Sequence, residues 1–504
     1  MTEVMVADLV ERKAVDRLFG ADHTLWRDDP TEIADRLGWI PVVAELQAAL
    51  PALQQRVDRL ADGIDHVVVM GMGGSSLFPE VLARTFEPAP GRPRLHVLDT
   101  THPATIARVA SQCPPEHTLF LASSKSGSTI ETRSHLEWAW AWAEGESRFA
   151  VVTDPGSELG ALARQRGFAE VFENRADIGG RYSALSLFGV VPALLMGIDA
   201  EALLAGGAEA LAACGPDVDP SENPAVQLAA AAAAGVGAGR DKLTFLLPES
   251  VATFGLWLEQ LVAESLGKDG TGVVPIVGEL GADTATVGDD RLFVASDGID
   301  VTALVDAGHP AVTWTVEPDP RSIGHAVVLA EVAVALMGAA IGVQPFDQPD
   351  VAAAKGATID VLEDGDTTVE PTPLAGLLEQ LEPGDHLALQ AFVDPEGDEA
   401  AVLVRARAVL RSRHRVAVSL GFGPRFLHST GQLHKGGPDA IVCVQVLDVG
   451  TTDVPIPVRQ PQLTFGELLA AQAAGDLRAL QKRGRVAGRV ELAELLAVAE
   501  EAGS

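Results

Sequence analysis

The run His66-Val-Val-Val-Met70-Gly71-Met72-Gly73-Gly74-Ser75-Ser76 decides the fold class. A short, continuously apolar stretch gives way to a turn of small residues, and a helix-periodic stretch then continues to Phe86. That order predicts strand, tight turn and helix. The plan recurs downstream. Residues 94–98, 118–122 and 149–153 are further apolar runs, and 118–122 is again followed by a polar turn and a helical pattern. Apolar strands alternating with helices predict a parallel sheet covered on both faces.

Outward from this block, residues 1–62 predict helices. Val43, Leu46 and Leu50, then Leu53, Val57 and Leu60, recur at helical spacing. Cys214-Gly-Pro-Asp-Val-Asp-Pro-Ser-Glu-Asn-Pro224 is rich in turn formers and marks a boundary. Beyond it, candidate strands fall at 243–247, 273–277, 292–295, 312–316, 387–393, 416–420 and 441–446, with a long helical pattern over 325–341. The last forty residues read as helix. The expected architecture is α/β, with two doubly wound parallel-sheet domains (three-layer αβα) at 63–215 and 225–460. Helical segments at 1–62 and 461–504 flank them.

Composition narrows the function. A chain of 504 residues exceeds one ordinary core, and 47% hydrophobic with 21% charged residues describes a folded protein. Seventy acidic against 37 basic residues leave a formal charge of -33. Nucleic acid and acidic membrane surfaces would be repelled, so neither is expected as a partner. An anionic small molecule would need a local cationic pocket. The three cysteines, Cys113, Cys214 and Cys443, form no CxxC pair, which argues against a disulfide framework or a Cys-based zinc site. The amino terminus mixes charges into its apolar pattern, unlike a signal peptide, and the alanine-rich stretch 225–238 is too short to span a bilayer. The expected compartment is the cytoplasm.

The chain holds only seven lysines, and Lys125, Lys268, Lys355 and Lys435 fall in four of six motifs. In the first motif, Gly73, Gly74 and Ser75 would let backbone N–H groups approach an anion at a helix start, or form a plain turn. Ser76 replaces the third glycine of GxGxxG, which weakens a dinucleotide reading. The second, Ser124-Lys125-Ser126-Gly127-Ser128-Thr129, combines hydroxyls with a cation at a helix start and suits a phosphate better than a serine-rich cap. The third, Asp177-Ile-Gly-Gly-Arg181-Tyr182-Ser183, aims an arginine from a glycine pair, or is a surface loop. In the fourth, Gln260 and Glu264 share one face of an apolar helix before Ser265, Gly267 and Lys268, so Glu264 is either a candidate base or an exposed helix-end carboxylate. The fifth runs from Phe346-Asp-Gln348 to Lys355. The sixth holds His428 and His434. Without carboxylate or cysteine ligands at suitable spacing, these histidines suit acid–base or phosphate work better than a metal.

Together these segments resemble the phosphoglucose isomerase family, whose domains are of the sugar isomerase (SIS) type, in patches from about 67 to 437. Asp177–Ser183, Glu264-Ser-x-Gly-Lys268, Ser124–Thr129, Phe346-Asp-Gln-x-x-Val-x-x-x-Lys355 and Leu427-His428-Ser-x-Gly-Gln432 each resemble a family segment. Two departures stand out. Ala352 occupies the position of a family glutamate, and the histidine segment follows the lysine segment instead of preceding it. That order resembles the isomerase half of transaldolase–isomerase fusions, though no segment here is large enough for a transaldolase.

The resemblance implies interconversion of glucose 6-phosphate and fructose 6-phosphate through a cis-enediol, in glycolysis and gluconeogenesis, without metal or organic cofactor. It makes Glu264 the base, with His428 (or His434 in its place) and Lys355 opening the ring, and Arg181 stabilising the enediolate. It puts the phosphate on Ser124, Lys125, Ser126, Ser128 and Thr129, with Gly73, Gly74, Ser75 and Gln260 against the sugar. It further implies a homodimer whose histidine comes from the neighbouring subunit. Competing readings are a dual glucose/mannose phosphate isomerase, a non-catalytic sugar-phosphate sensor and a dinucleotide enzyme.

Overall fold

The computed structural model describes residues 1–145, 148–279, 284–457 and 463–500, without the side chains of Ala285 and 351–355. Strands β1 (His66–Met70), β2 (Arg94–Leu98), β3 (Thr118–Ser123), β4 (Arg148–Thr153) and β5 (Glu170–Glu173) form one sheet in the order β2-β1-β3-β4-β5. Every pairing in it is parallel. Val67, Val68, Val69 and Met70 are fully buried, as expected of a strand covered on both faces.

The strands beyond residue 225 divide into two sheets. Strands β6 (Lys242–Leu246), β7 (Val274–Ile276), β8 (Arg291–Ser296) and β9 (Ala311–Trp314) run parallel in the order β7-β6-β8-β9. Strands β10 (His386–Phe392), β11 (Ala417–Phe422) and β12 (Ile441–Leu447) are followed by a short antiparallel pair, β13 (Pro455–Ile456) and β14 (Leu463–Thr464), and by β15 (Val486–Arg489). The third sheet has the order β11-β10-β12-β15, again all parallel. A single sheet was expected over 225–460. Instead, edges β7 and β11 meet through side chains, with Val274, Ile276 and Ala417 packed with Ala263 and Leu433 in one small cluster.

Four strands escaped the sequence pattern: the two-residue pair β13 and β14, and β5 and β15, which are sheet edges. Glu170-Val-Phe-Glu173 is half charged, and Val486-Ala-Gly-Arg489 carries a glycine and an arginine. An edge strand is partly solvated, so it lacks the apolar run that betrays a central one. The carboxyl-terminal segment is accordingly not all helix: β15 separates Phe465–Lys482 from Leu492–Glu500. The helix Pro320–Ile341 is long and apolar enough to cross a membrane, yet 89% of its most apolar window is buried inside the protein. It packs against the helices Ala200–Ala213 and Pro224–Gly237 as a core helix.

Candidate active site

In a doubly wound sheet, ligands bind beyond the carboxyl ends of the strands, where the strand order reverses. In the first sheet that point lies between β1 and β3. The turn Gly71–Ser76 leaves β1 and the loop Ser124–Thr129 leaves β3, so two of the sequence motifs flank it. Gly73 has φ +54°, and a Cβ there would stand 2.6 Å from the His428 carbonyl oxygen and 2.8 Å from Gln260 Nε2. A Cβ on Gly74 would stand 1.9 Å from the Gly180 carbonyl oxygen. Both residues are glycine because other backbone and side chains occupy the space a methyl group would need. The same close approaches bring the first, third, fourth and sixth motifs together.

Arg181 is the hub. The adjacent Tyr182 is wedged between the rings of Trp39 and Phe346, with centroids 5.2 Å from each, which holds the Gly180–Tyr182 turn in place. Arg181 Nε donates to Ser265 Oγ (2.9 Å), and Nη2 donates to the carbonyls of Pro345 (2.7 Å) and Asp347 (2.8 Å). This leaves Nη1 3.4 Å from Glu264 Oε2. Gln260 Nε2 donates to the same carboxylate oxygen (3.1 Å) and to the His428 carbonyl (2.9 Å). Both residues lie on the helix Phe254–Leu266, one turn apart and buried. Glu264 is therefore not an exposed helix-end residue.

Lys268 is fully buried, and its Nζ donates to the Asp347 carbonyl (2.6 Å) and Oδ1 (2.7 Å). Burial first, and the like charge of Arg181 second, push its ammonium down to about 8.

His428 closes the crevice from the third sheet. Arg425, in the same short helix, donates from Nε and Nη2 to the two carboxylate oxygens of Asp99, at 2.8 Å each. Asp99 follows β2, so this bidentate pair ties the histidine segment to the first sheet. His428 Nε2 lies 2.8 Å from Oε1 of the buried Glu131, and Gln472 Nε2 donates to that oxygen at 2.6 Å. Burial would raise the Glu131 carboxyl, but the charge and hydrogen bond of His428 outweigh it and hold the group below its ordinary value. Within this one chain, His428 therefore reaches both Gln260 and Glu131. His434 packs elsewhere, in the core of the third sheet. Its Nδ1 lies 3.0 Å from Gln390 Nε2, and burial lowers its imidazole well below the usual range.

The loop after β3 is organised by its own hydroxyls. Ser124 Oγ accepts from the Gly127 N–H (3.1 Å) and lies 3.4 Å from Thr129 Oγ1, while the exposed Ser126 and Ser128 hydroxyls are 2.9 Å apart. Lys125 departs from expectation: its Nζ donates to Asp154 Oδ2 at 2.6 Å, so a carboxylate already balances its charge. Ser75 is buried in the first turn. The Lys355 side chain lies outside the described residues. Sequence reasoning missed Glu131, Asp99, Arg425 and Gln472. Glu131 follows Thr129 by two positions in an otherwise recognised motif, which is a usable signal. Gln472 lies 341 residues from its partner and offers none.

A family model described as phosphoglucose isomerase matches residues 33–276. A glucose-6-phosphate isomerase of Rubrobacter xylanophilus is 31% identical over 406 residues, covering 68% of this chain and 91% of the relative. One from Thermosynechococcus vestitus is 30% identical over 380 residues, covering 62% of this chain and 70% of the relative. Among solved structures, a hypothetical protein from Thermus thermophilus matches with TM-score 0.60 and 25% identity, over 69% of this chain and 96% of that one. A glucose-6-phosphate isomerase from Chlamydia trachomatis shares the fold with TM-score 0.58 at 20% identity, over 72% and 86% of the two chains. With a relative matched along nine-tenths of its length at 31% identity, this chain belongs to the phosphoglucose isomerase family.

Proposed function

We propose that this crevice interconverts glucose 6-phosphate and fructose 6-phosphate, an intramolecular aldose–ketose isomerisation through a cis-enediol. The observation that carries the assignment of roles is the Glu264 carboxylate, buried and held between Gln260 Nε2 and Arg181 Nη1. A fixed carboxylate can take the C2 proton and return it to C1, so one base serves both carbons. Arg181 supplies a positive charge beside that base for the enediolate oxygens. Its other nitrogens are already bonded, so the guanidinium is preorganised. Gln260 Oε1 is buried with no hydrogen-bond partner among the described residues, a free acceptor for a sugar hydroxyl. His428, oriented by Glu131, opens the ring, and the resemblance assigns Lys355 to the same step. The phosphate goes to Ser124, Ser126, Ser128 and Thr129, with Gly73, Gly74 and Ser75 lining the sugar. Lys125 steadies that loop through Asp154.

The test is fructose 6-phosphate conversion coupled to glucose-6-phosphate dehydrogenase, with EDTA present. Turnover is expected, and Glu264→Gln should lower kcat by about 10²–10⁴-fold while keeping substrate binding. Full activity in that variant would remove Glu264 from the role. Nothing among the described residues favours the sensor, dual-specificity or dinucleotide readings. The same proposal puts the enzyme in the cytoplasm as a homodimer, without nucleic-acid or membrane partners. The three cysteines, all buried and unpaired, support the reducing compartment.

A further inference from the structure

The end of the first sheet opposite the crevice carries a cluster that the isomerisation does not use. His66 opens β1, and His96 sits at the middle of β2. Side chains alternate along a strand, so His66 shares the face of Val68 and Met70, and His96 that of Leu98. Val68, Met70, Leu98, Ile106, Val109 and Cys113 form one core beneath the helix Pro103–Gln112. Cys113, the residue that ends this helix, is fully buried. Two imidazoles thus extend an apolar face at the point where a thiol closes it. His66 Nδ1 lies 3.1 Å from His96 Nε2, and one ligand atom from each of His66, His96 and Cys113 lies within 4.8 Å of the other two.

We propose that His66, His96 and Cys113 bind one thiophilic divalent cation of the zinc class. Two imidazoles and a thiolate are a soft, nitrogen-and-sulfur donor set that suits zinc and excludes calcium or magnesium. Zinc bonds of about 2.0–2.3 Å place tetrahedral ligand atoms about 3.3–3.8 Å apart, against 3.1 Å between the imidazole nitrogens and at most 4.8 Å to the thiol here, so small side-chain shifts bring the set to a metal. Three protein ligands leave the fourth position to water. Binding forms a sulfur–metal bond and releases the Cys113 thiol proton to solvent. The cation would clip β1, β2 and the end of the helix that follows β2 together, away from the carboxyl-terminal ends that carry the crevice. The ligands lie 30 and 17 residues apart, so no motif spacing announces the site.

The experiment is a cobalt(II) titration of the full-length, tag-free protein after chelator treatment. A near-ultraviolet thiolate-to-cobalt charge-transfer band should grow to saturation at one metal per chain and be bleached by zinc. Cys113→Ser should abolish the band, and His96→Gln should weaken binding by more than about 100-fold, beyond what loss of an outer partner causes. Both variants should keep fructose 6-phosphate turnover. Absence of the band in the unaltered protein would overturn the proposal, as would a band undiminished in Cys113→Ser. Should the serine variant not fold, the unaltered protein and His96→Gln decide the matter alone.

Discussion

Glu131 shows how a single residue is set by its surroundings. Burial works against its charge, but His428 sits 2.8 Å away and Gln472 donates to the same oxygen. The folded-state carboxyl therefore lies below its ordinary value of 4.5. A lowered carboxyl contributes stability above the unfolded value and loses it as pH falls through the lower folded one. Glu131→Gln should then narrow the difference in stability between neutral and acidic pH. It should also lower kcat by up to about 100-fold through misplacement of His428, with the substrate KM little changed. An unchanged kcat would detach Glu131 from the site. Gly74 makes a steric case: its Cβ would meet the Gly180 carbonyl oxygen, whereas a Cβ on Gly180 meets nothing within 4 Å. Gly74→Ala should destabilise by about 1–3 kcal/mol and Gly180→Ala hardly at all, as read by chemical denaturation.

At the scale of elements, the helix Phe254–Leu266 is the most informative. It is buried almost from end to end, which is why its polar residues matter. Gln260 and Glu264 face the crevice, and Glu259 does not share their contacts. Burial pushes the Glu259 carboxyl up to about 7, against the pull of Arg407. A raised carboxyl costs stability once pH climbs above the unfolded value, and the cost is complete above the folded one. Glu259→Gln should thus leave stability nearly unchanged at pH 4 and raise it by about 1–3 kcal/mol at pH 8. A constant difference across that range would show that the carboxyl is not perturbed.

For the whole molecule, the Asp99–Arg425 pair joins the first sheet to the third and thereby sets the position of His428. Asp99 is 2% exposed, so removing its charge leaves a largely buried guanidinium with only the more distant Glu80 carboxylate, 3.9 Å away, as its counter-ion. Asp99→Asn should cost about 3–5 kcal/mol and depress turnover more than the neutral replacement of both partners, Asp99→Asn with Arg425→Met. His428 reaches Gln260 and Glu131 within its own chain. Specific activity should consequently be independent of protein concentration down to dilutions at which size-exclusion chromatography shows only monomer. Loss of activity on dissociation would mean that a neighbouring subunit completes the site.

Much of this architecture was legible in the letters. The eleven apolar runs that reappear as strands owe their form to period and turn chemistry, which act over a few residues. The Gly71–Ser76 turn, the hydroxyl loop at 124–129 and the Arg181 turn were visible for the same local reason, as was the spacing of Gln260 and Glu264. Edge strands β5 and β15 were not, because solvent on one side removes the pattern. Long-range placement was beyond local rules altogether. The division of the second half into two sheets, the return of His428 to Glu131 across 297 residues, and the meeting of His66, His96 and Cys113 all depend on strand order and packing. Such contacts join segments whose neighbours in sequence say nothing about one another, so only the tertiary structure could decide them.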